Sequence, residues 1–428
     1  MAQIKPFNAV FYNESKLGDW SSLVCPPYDV ISPKQQDYYY CLSPYNFIHI
    51  LLRKDTPGEN KYQRCGVIFR SWLKAKALVQ SEKPAVYFYS QQYVIRGEKK
   101  VRLGFIALLR LGDKGSAVFG HENTRSKARE DRLKMLKKTN ANLSPIFVVF
   151  KDKKRLIQRV FEQHILGRPP FIDVVDKDKI RHLLWSIEDP SILEFIQSGM
   201  RREDVFIADG QHRYEVSCAY RDEMRNKLKD KFSEDASFNY TLSYFTSTDH
   251  RGLSILPIHR LLKLDKGPEI NDFLRCLKKY FDVERIKDKG RFFFLLEKSG
   301  FSEHVIGMYK DKNYWLLRLK NVRILDKAMS DKPKEYRSLD VSILNQLVFR
   351  DILGLSPEDK EILKYSPNPE EFIEEADRSP GAIAFFLNPV KIEDIVAVAL
   401  KGDKMPPKST YFYPKVLSGL VIHKHEAV

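Results

Sequence analysis

Val205-Phe206-Ile207-Ala208-Asp209-Gly210-Gln211-His212-Arg213-Tyr214-Glu215 is the segment of this 428-residue chain from which the rest is best read. Four apolar residues make a short buried strand, and Gly210 breaks it. Val216, Tyr220 and Met224 then recur at spacing four, as along one face of a helix. In that order, strand, turn and helix start leave the first N–H groups of the helix without intrahelical partners, an arrangement that favours an anion. Gly210 lets the backbone turn sharply and approach a ligand with no Cβ in the way. Arg213 offers bidentate donors to a phosphate, and His212 takes up or releases a proton near neutral pH. Asp209, at the strand end, is placed to hold a metal ion or to orient His212. The same pattern also describes an ordinary turn in which Asp209 caps the helix and His212 and Arg213 are solvated. Spacing alone leaves both readings open.

On the N-terminal side, residues 85–111 read as a β-hairpin. Ala85-Val86-Tyr87-Phe88-Tyr89 begins one arm and Arg96-Gly97-Glu98-Lys99-Lys100 supplies a polar turn. In the return arm Val101, Leu103, Phe105, Ala107, Leu109 and Leu111 alternate with Arg102, Gly104 and Arg110, while Ile106 and Leu108 point to burial on both faces. A polar helix is expected over about 125–139, stopped by Asn142-Leu143-Ser144-Pro145 before the strand Ile146–Phe150. On the C-terminal side, 240–245, 291–296 and 382–387 read as strands, with Asn388-Pro389 capping a helix that runs to about Lys401. Interleaved strands and helices make the fold class α+β, or mixed α/β. The breaks suggest an N-terminal lobe at 1–118, a core at 119–260 and a C-terminal lobe at 261–428.

Three further segments can carry chemistry. Phe119-Gly120-His121-Glu122-Asn123-Thr124 leads into a helix on which Arg125, Arg129 and Arg132 share one face at i, i+4 and i+7. A row of guanidiniums without matched acids suits a polyanion, and Glu122 ahead of it is a candidate general base for a substrate hydroxyl. A solvated basic helix, with Glu130 pairing Lys134, is the bland alternative. Met405-Pro406-Pro407-Lys408-Ser409-Thr410-Tyr411-Phe412-Tyr413-Pro414-Lys415 presents, at Lys408, Ser409 and Thr410, a cation and two hydroxyls on a stiff turn, a phosphate clip or else an arm packed by its aromatics. His259-Arg260, after Leu256-Pro257-Ile258, is either a cleft pair or a satisfied structural histidine with its neighbour. Cys25-Pro26-Pro27-Tyr28-Asp29 forms another rigid turn, and its role is not legible from the residues.

A net charge of +16 fits nucleic acid, a small anionic substrate or simply a lysine-rich surface. Hydrophobic residues at 43% rule out global disorder. No run approaches the roughly 20 apolar residues of a membrane span, and the start lacks the apolar core of a secretory signal. Five scattered cysteines argue against a zinc site or a disulfide framework, so cytoplasm is the expected compartment. Nucleotide-binding fingerprints of the Gly-x-x-x-x-Gly-Lys and Gly-x-Gly-x-x-Gly kinds are absent, as is a persuasive helix-turn-helix.

The strand ending in Asp-Gly-x-His-Arg resembles the phosphate-handling motif of the ParB/sulfiredoxin-like superfamily, which includes kinases of free L-serine. More closely, five ordered motifs resemble those of a family of microbial proteins known as a domain of unknown function. They are Cys25–Ser32, His121–Thr124, Ala208–Glu215, Leu256–Arg260 and Met405–Thr410. That resemblance implies a ParB-like core with added lobes and a kinase that phosphorylates free L-serine to O-phospho-L-serine. It implies inorganic pyrophosphate, ADP or ATP as donor and Mg²⁺ as cofactor. By the same resemblance Glu122 is the base, and Asp209 and His212 are catalytic, with Asp209 holding the metal. Gly210, Gln211 and Arg213 would bind the donor, with Arg125, Arg129, Arg132, Lys408, Ser409 and Thr410. His121, Asn123, Thr124, His259 and Arg260 would contact the acceptor. Gln211 stands where a second histidine is usual in that motif. Serine and the donor are then the expected partners, with neither membrane nor nucleic acid. A ParB-like nucleotide or nucleic-acid module and a sulfiredoxin-like reductase are the rival expectations.

Overall fold

The computed structural model describes residues 2–112, 117–120, 126–229, 231–356 and 362–426. They form two compact units where the sequence suggests three segments. The first takes in residues up to 120, those from 126 to 254 and the C-terminal 414–426, and the second takes in 255–413. The expected boundary near 118 does not divide units, because strands from both sides of it share one sheet.

That sheet has nine strands: β1 (Ile4–Lys5), β2 (Val86–Ile95), β3 (Glu98–Arg110), β4 (Val118–Gly120), β5 (Ile146–Phe150), β6 (Ile172–Val175), β7 (Arg181–Ile187), β8 (Val205–Asp209) and β9 (Tyr240–Ser247). Its order is β4-β8-β5-β9-β3-β2-β7-β6, with β1 alongside the end of β3. The β2–β3 hairpin is the one expected, with a tighter turn. Arg96 and Gly97 both take positive φ, 51° and 80°, which suits a two-residue connection between right-twisted strands. β3 is buried from Arg102 through Leu109, so Arg102 lies in the interior and not on a polar face. Phe88, Phe105, Val148, Trp185, Ile196 and Phe245 belong to the apolar core on this sheet.

Two helices shape the site. Helix α1 (Ser126–Thr139) follows β4, and α2 (Gln211–Leu228) follows β8. Leu136 of α1 and Val216 and Tyr220 of α2 share a small apolar cluster that Phe238, from the turn ahead of β9, completes. The spacing-four stripe is therefore the buried face of α2. Burial of four such side chains is worth about 1.5–3 kcal/mol each, which holds the helix start firmly against the strand ends.

The second unit carries a six-stranded antiparallel sheet. Its strands are β10 (His259–Lys263), β11 (Phe281–Ile286), β12 (Val305–Lys310), β13 (Asn313–Leu319), β14 (Leu363–Ser366) and β15 (Ala382–Phe386), in the order β11-β13-β12-β15-β10-β14. Residues 291–296, expected as a strand, lie in helix α3 (Lys289–Ser299). Asp288 caps it by accepting from Arg291 N at 2.6 Å, and Phe292 and Leu296, four apart, are the buried pair. The helix after β15 is Ile392–Leu400, later than expected. Asn388 does not cap it; its amide donates to Leu296 O at 3.1 Å. This mixed arrangement of strands and helices is the α+β class expected. None of the described helices is long and apolar enough to cross a membrane.

Candidate functional site

Strand β8 does not run straight into its turn. Its register against β5 shifts between Ile207 and Asp209, a bulge that re-aims the strand end. Gly210 follows with φ +85°, a left-handed conformation that residues with a Cβ avoid. A Cβ there would also stand 2.9 Å from the Arg213 guanidinium. The glycine is thus required twice, once by the backbone and once by the arginine folded back over it. Helix α2 begins immediately, and Tyr214 N donates to Gly210 O at 3.0 Å.

Asp209 sits between two cations. One carboxylate oxygen accepts from Arg213 Nη2 at 2.7 Å and the other from Lys415 Nζ at 2.6 Å. Arg213 also donates to the carbonyl of Pro145. The three side chains are only 15%, 13% and 10% exposed, so the charges interact in a poorly screened setting. Lys415 is held there by the hairpin. Gln91 Nε2 on β2 donates to Lys415 O at 3.0 Å, and the fully buried Arg102 on β3 donates to Pro414 O and to Gln91 Oε1. Two cations and a helix N-terminus around one carboxylate leave the turn net positive.

Tyr28 approaches from the N-terminal turn. Cys25 and Ser418 exchange backbone hydrogen bonds, which ties Cys25–Tyr28 to the segment carrying Lys415. Ser418 Oγ meets Ser144 Oγ at 2.6 Å. The Arg132 guanidinium stacks 4.2 Å over the Tyr28 ring. Burial pushes the Tyr28 phenol up to about 12, with Asp29 adding to the shift and Arg213 and Arg132 opposing it. Tyr28, Arg132 and Arg213, with Ser144, Ser217 and Thr241, line a cavity of about 50 Å³.

The residues expected at the site are distributed as follows. His121, Glu122, Asn123, Thr124 and Arg125 lie outside the described residues. Asp209, Gly210, Gln211, His212 and Arg213 form the turn. Gln211 packs on Gly120, where a Cβ would fall 2.3 Å from its Oε1. Its Nε2 donates to Glu215 at 3.2 Å. Its buried Oε1 has no hydrogen-bond partner among the described residues. The basic face of α1 does not lack acids, contrary to expectation: Arg129 pairs with Glu215 at 3.3 Å, and Arg132 with Asp131 at 2.5 Å. Glu130 and Lys134 pair at 2.6 Å. Lys408, Ser409, Thr410, His259 and Arg260 belong to the second unit. Lys408 is exposed, whereas Ser409 is buried and its hydroxyl donates to Pro406 O at 2.5 Å. His259 is a buried acceptor, taking Leu387 N at 3.2 Å. Burial, then Arg260, pulls it down to about 3, so it stays neutral at physiological pH. Cys218 is no nucleophile, because burial pushes its thiol up to about 11. All five cysteines are free.

Lys415 and Tyr28 are the residues that sequence reasoning did not single out. Both stand within quoted motifs, but their partners are remote in sequence. As to Mg²⁺, the two oxygens of Asp209 are already taken by cations. Among the described residues no group of three His, Cys, Asp or Glu could hold a metal. This donor set by itself suits an anion and does not fit a resident Mg²⁺.

The fold and turn define a mixed α/β protein with a positively charged strand–glycine–helix site. The chain belongs to the DUF1015 family, described as a protein of unknown function, whose model matches residues 4–342. No curated protein matches the chain. Among solved structures it is similar to a conserved hypothetical protein from Pyrococcus furiosus, at 14% identity and a TM-score of 0.32, covering 70% of this chain and 89% of that one. A free serine kinase in complex with AMP gives 13% and 0.31, covering 69% and 83%. SbnI from Staphylococcus aureus gives 12% and 0.36, covering 73% and 85%. Scores this low carry no argument about function.

Proposed function

We propose that the chain is a small-molecule phosphotransferase, a cytoplasmic kinase of free L-serine that uses pyrophosphate. The observation that carries this is the Asp209–Arg213–Lys415 cluster at the start of an 18-residue helix. Its excess positive charge and its glycine turn suit phosphate oxygens. The absence of a glycine-rich nucleotide loop favours pyrophosphate over ADP or ATP. The Oε1 of Gln211, without a partner among the described residues, offers an acceptor for a ligand N–H or O–H. The proposed ParB-like relationship rests on the Asp-Gly-x-His-Arg motif alone.

In the reaction, the bridging P–O bond of pyrophosphate breaks and orthophosphate leaves. A new bond forms between phosphorus and the serine hydroxyl oxygen, whose proton passes to Glu122. Arg213 and Lys415 neutralise the phosphoryl oxygens, which is most of what such a transfer requires of a protein. Mg²⁺ would enter with the donor phosphates, and none of these steps is routed through it. The test is a screen of serine, threonine and homoserine against pyrophosphate, ADP and ATP, read as phosphorylated amino acid by mass. Phosphoserine with pyrophosphate alone supports the reading. No phosphorylated product with any pair, together with salt-dependent DNA binding, would replace it with a nucleic-acid module.

A further inference from the structure

The second unit has a polar pocket of about 180 Å³ near the start of β10. It is lined by Arg260, His304, Asp340, Lys391, Asp394 and Ser409, among others. Arg260 is 2% exposed. Its guanidinium donates to the carbonyls of Ile258 and Lys408 and lies 5.5 Å from the Tyr365 ring. Among the described residues no carboxylate pairs with it. A buried cation without a counter-ion is costly, by several kcal/mol before compensation. Burial accordingly lowers its pKa to about 10.

The opposite charge is also present in the same pocket. Asp340 is bonded to His304 at 2.9 Å. Asp394 has no ion pair among the described residues, although Lys391 acts on it by its charge and by a backbone hydrogen bond. Burial raises the pKa of both acids, and Asp340 adds to the shift at Asp394, so the two carboxylates repel each other. One buried guanidinium and one exposed lysine against Asp340, Asp394 and Glu303, the last already paired with Arg318 at 2.9 Å, do not make a site for a multiply charged phosphate. They suit a molecule that carries one charge of each sign. The volume equals that of about six waters in the liquid, enough for a molecule of about seven non-hydrogen atoms.

We propose that this pocket binds a small α-amino acid as its zwitterion, with the carboxylate on Arg260 and the ammonium facing Asp394 and Asp340. The inference does not rest on the phosphotransfer reading. The test is calorimetric titration of the full chain with glycine, L-alanine and L-serine. Glycolate lacks the ammonium, ethanolamine lacks the carboxylate, and inorganic phosphate lacks both, so these three serve as comparisons. An amino acid should bind, with each single-charge analogue at least about tenfold weaker. Arg260→Lys should weaken the amino acid by at least about tenfold, because a fork of donors is replaced by a point charge. Asp394→Asn, on a half-buried side chain that leaves Arg260 in place, should do the same and guards against a folding defect in the first variant. No binding of any of the three amino acids at millimolar ligand overturns the proposal. So do an amino acid affinity that neither variant changes, and phosphate binding in place of amino acid binding.

Discussion

Lys415→Met removes one of the two cations on Asp209 and keeps most of the side-chain stem. At 2.6 Å and an effective dielectric constant of about 20, the gross attraction is about 6 kcal/mol. Burying the groups offsets most of that, and a charge-assisted hydrogen bond nets about 1.5–3 kcal/mol. Asp209 keeps Arg213 at 2.7 Å, so no orphan charge is created and the loss should fall at the lower end. In a unit of this size each kcal/mol moves the midpoint by about 2–4 °C. The variant should therefore melt a few degrees lower and remain folded at 25 °C. If Lys415 meets donor oxygens, turnover of serine with pyrophosphate should fall about 10²-fold or more, and pyrophosphate affinity should fall with it. Circular dichroism melts, calorimetric titration with pyrophosphate and phosphoserine formation, all on one preparation, separate the two effects. Turnover and pyrophosphate affinity that merely track the folded fraction would refute the reasoning and make Lys415 a structural strut.

Gly210→Ala forces a Cβ into a left-handed position against Arg213; it should cost about 1–3 kcal/mol and lower turnover as the arginine is displaced, and an unchanged melt would show that the turn is not held. Glu122→Gln should cut turnover about 10²–10⁴-fold with pyrophosphate binding intact, whereas Glu130→Gln, which loses only a surface pair with Lys134, should be almost silent; near-normal turnover in the first variant places the base elsewhere. His259 titrates at about 3 in the folded chain and at about 6.5 in the unfolded one, so the unfolded chain binds its proton first and stability falls as pH drops from about 6.5 toward 3, by up to about 1.4 kcal/mol per unit. His259→Asn should flatten that slope in urea titrations of the second unit at pH 7 and pH 5, and an unaltered slope would contradict the burial argument.

The local geometry of the site was legible because it is written in contiguous residues. A short apolar run, a glycine and a spacing-four stripe specify strand, turn and helix without outside help. The partners were not legible, because they come from elsewhere in the chain. Lys415 reaches Asp209 across 206 positions, and Arg129 finds Glu215 across 86. The acid-free look of the basic helix face fails twice: Glu215, the partner of Arg129, lies on the other helix, and Asp131 pairs with its own neighbour Arg132. The misread strand at 291–296 has a different cause. Arg-Phe-Phe-Phe-Leu-Leu is too short and too apolar to show a period. The deciding signal was Asp288, three residues ahead of Arg291, which caps a helix and has no use in a strand.

Arginine at the end of an apolar run means different things in the two units, and the difference lies in the counter-charge. Arg213 has its carboxylate four residues back, and among the described residues the surplus at its turn comes from Lys415, brought in by two buried polar residues of the hairpin. Removing Arg102 or Gln91 should therefore loosen Lys415 without touching the turn itself. Those two side chains are positioning residues that a search confined to the motif would pass over. Arg260 pairs with no carboxylate among the described residues and is buried more deeply, and the proposed zwitterion would supply its counter-charge. The first arrangement collects an excess of positive charge beside a helix start, which selects for phosphate. The second sets Arg260 and the exposed Lys391 against Asp340, Asp394 and Glu303 in one pocket, which suits a zwitterion better than phosphate.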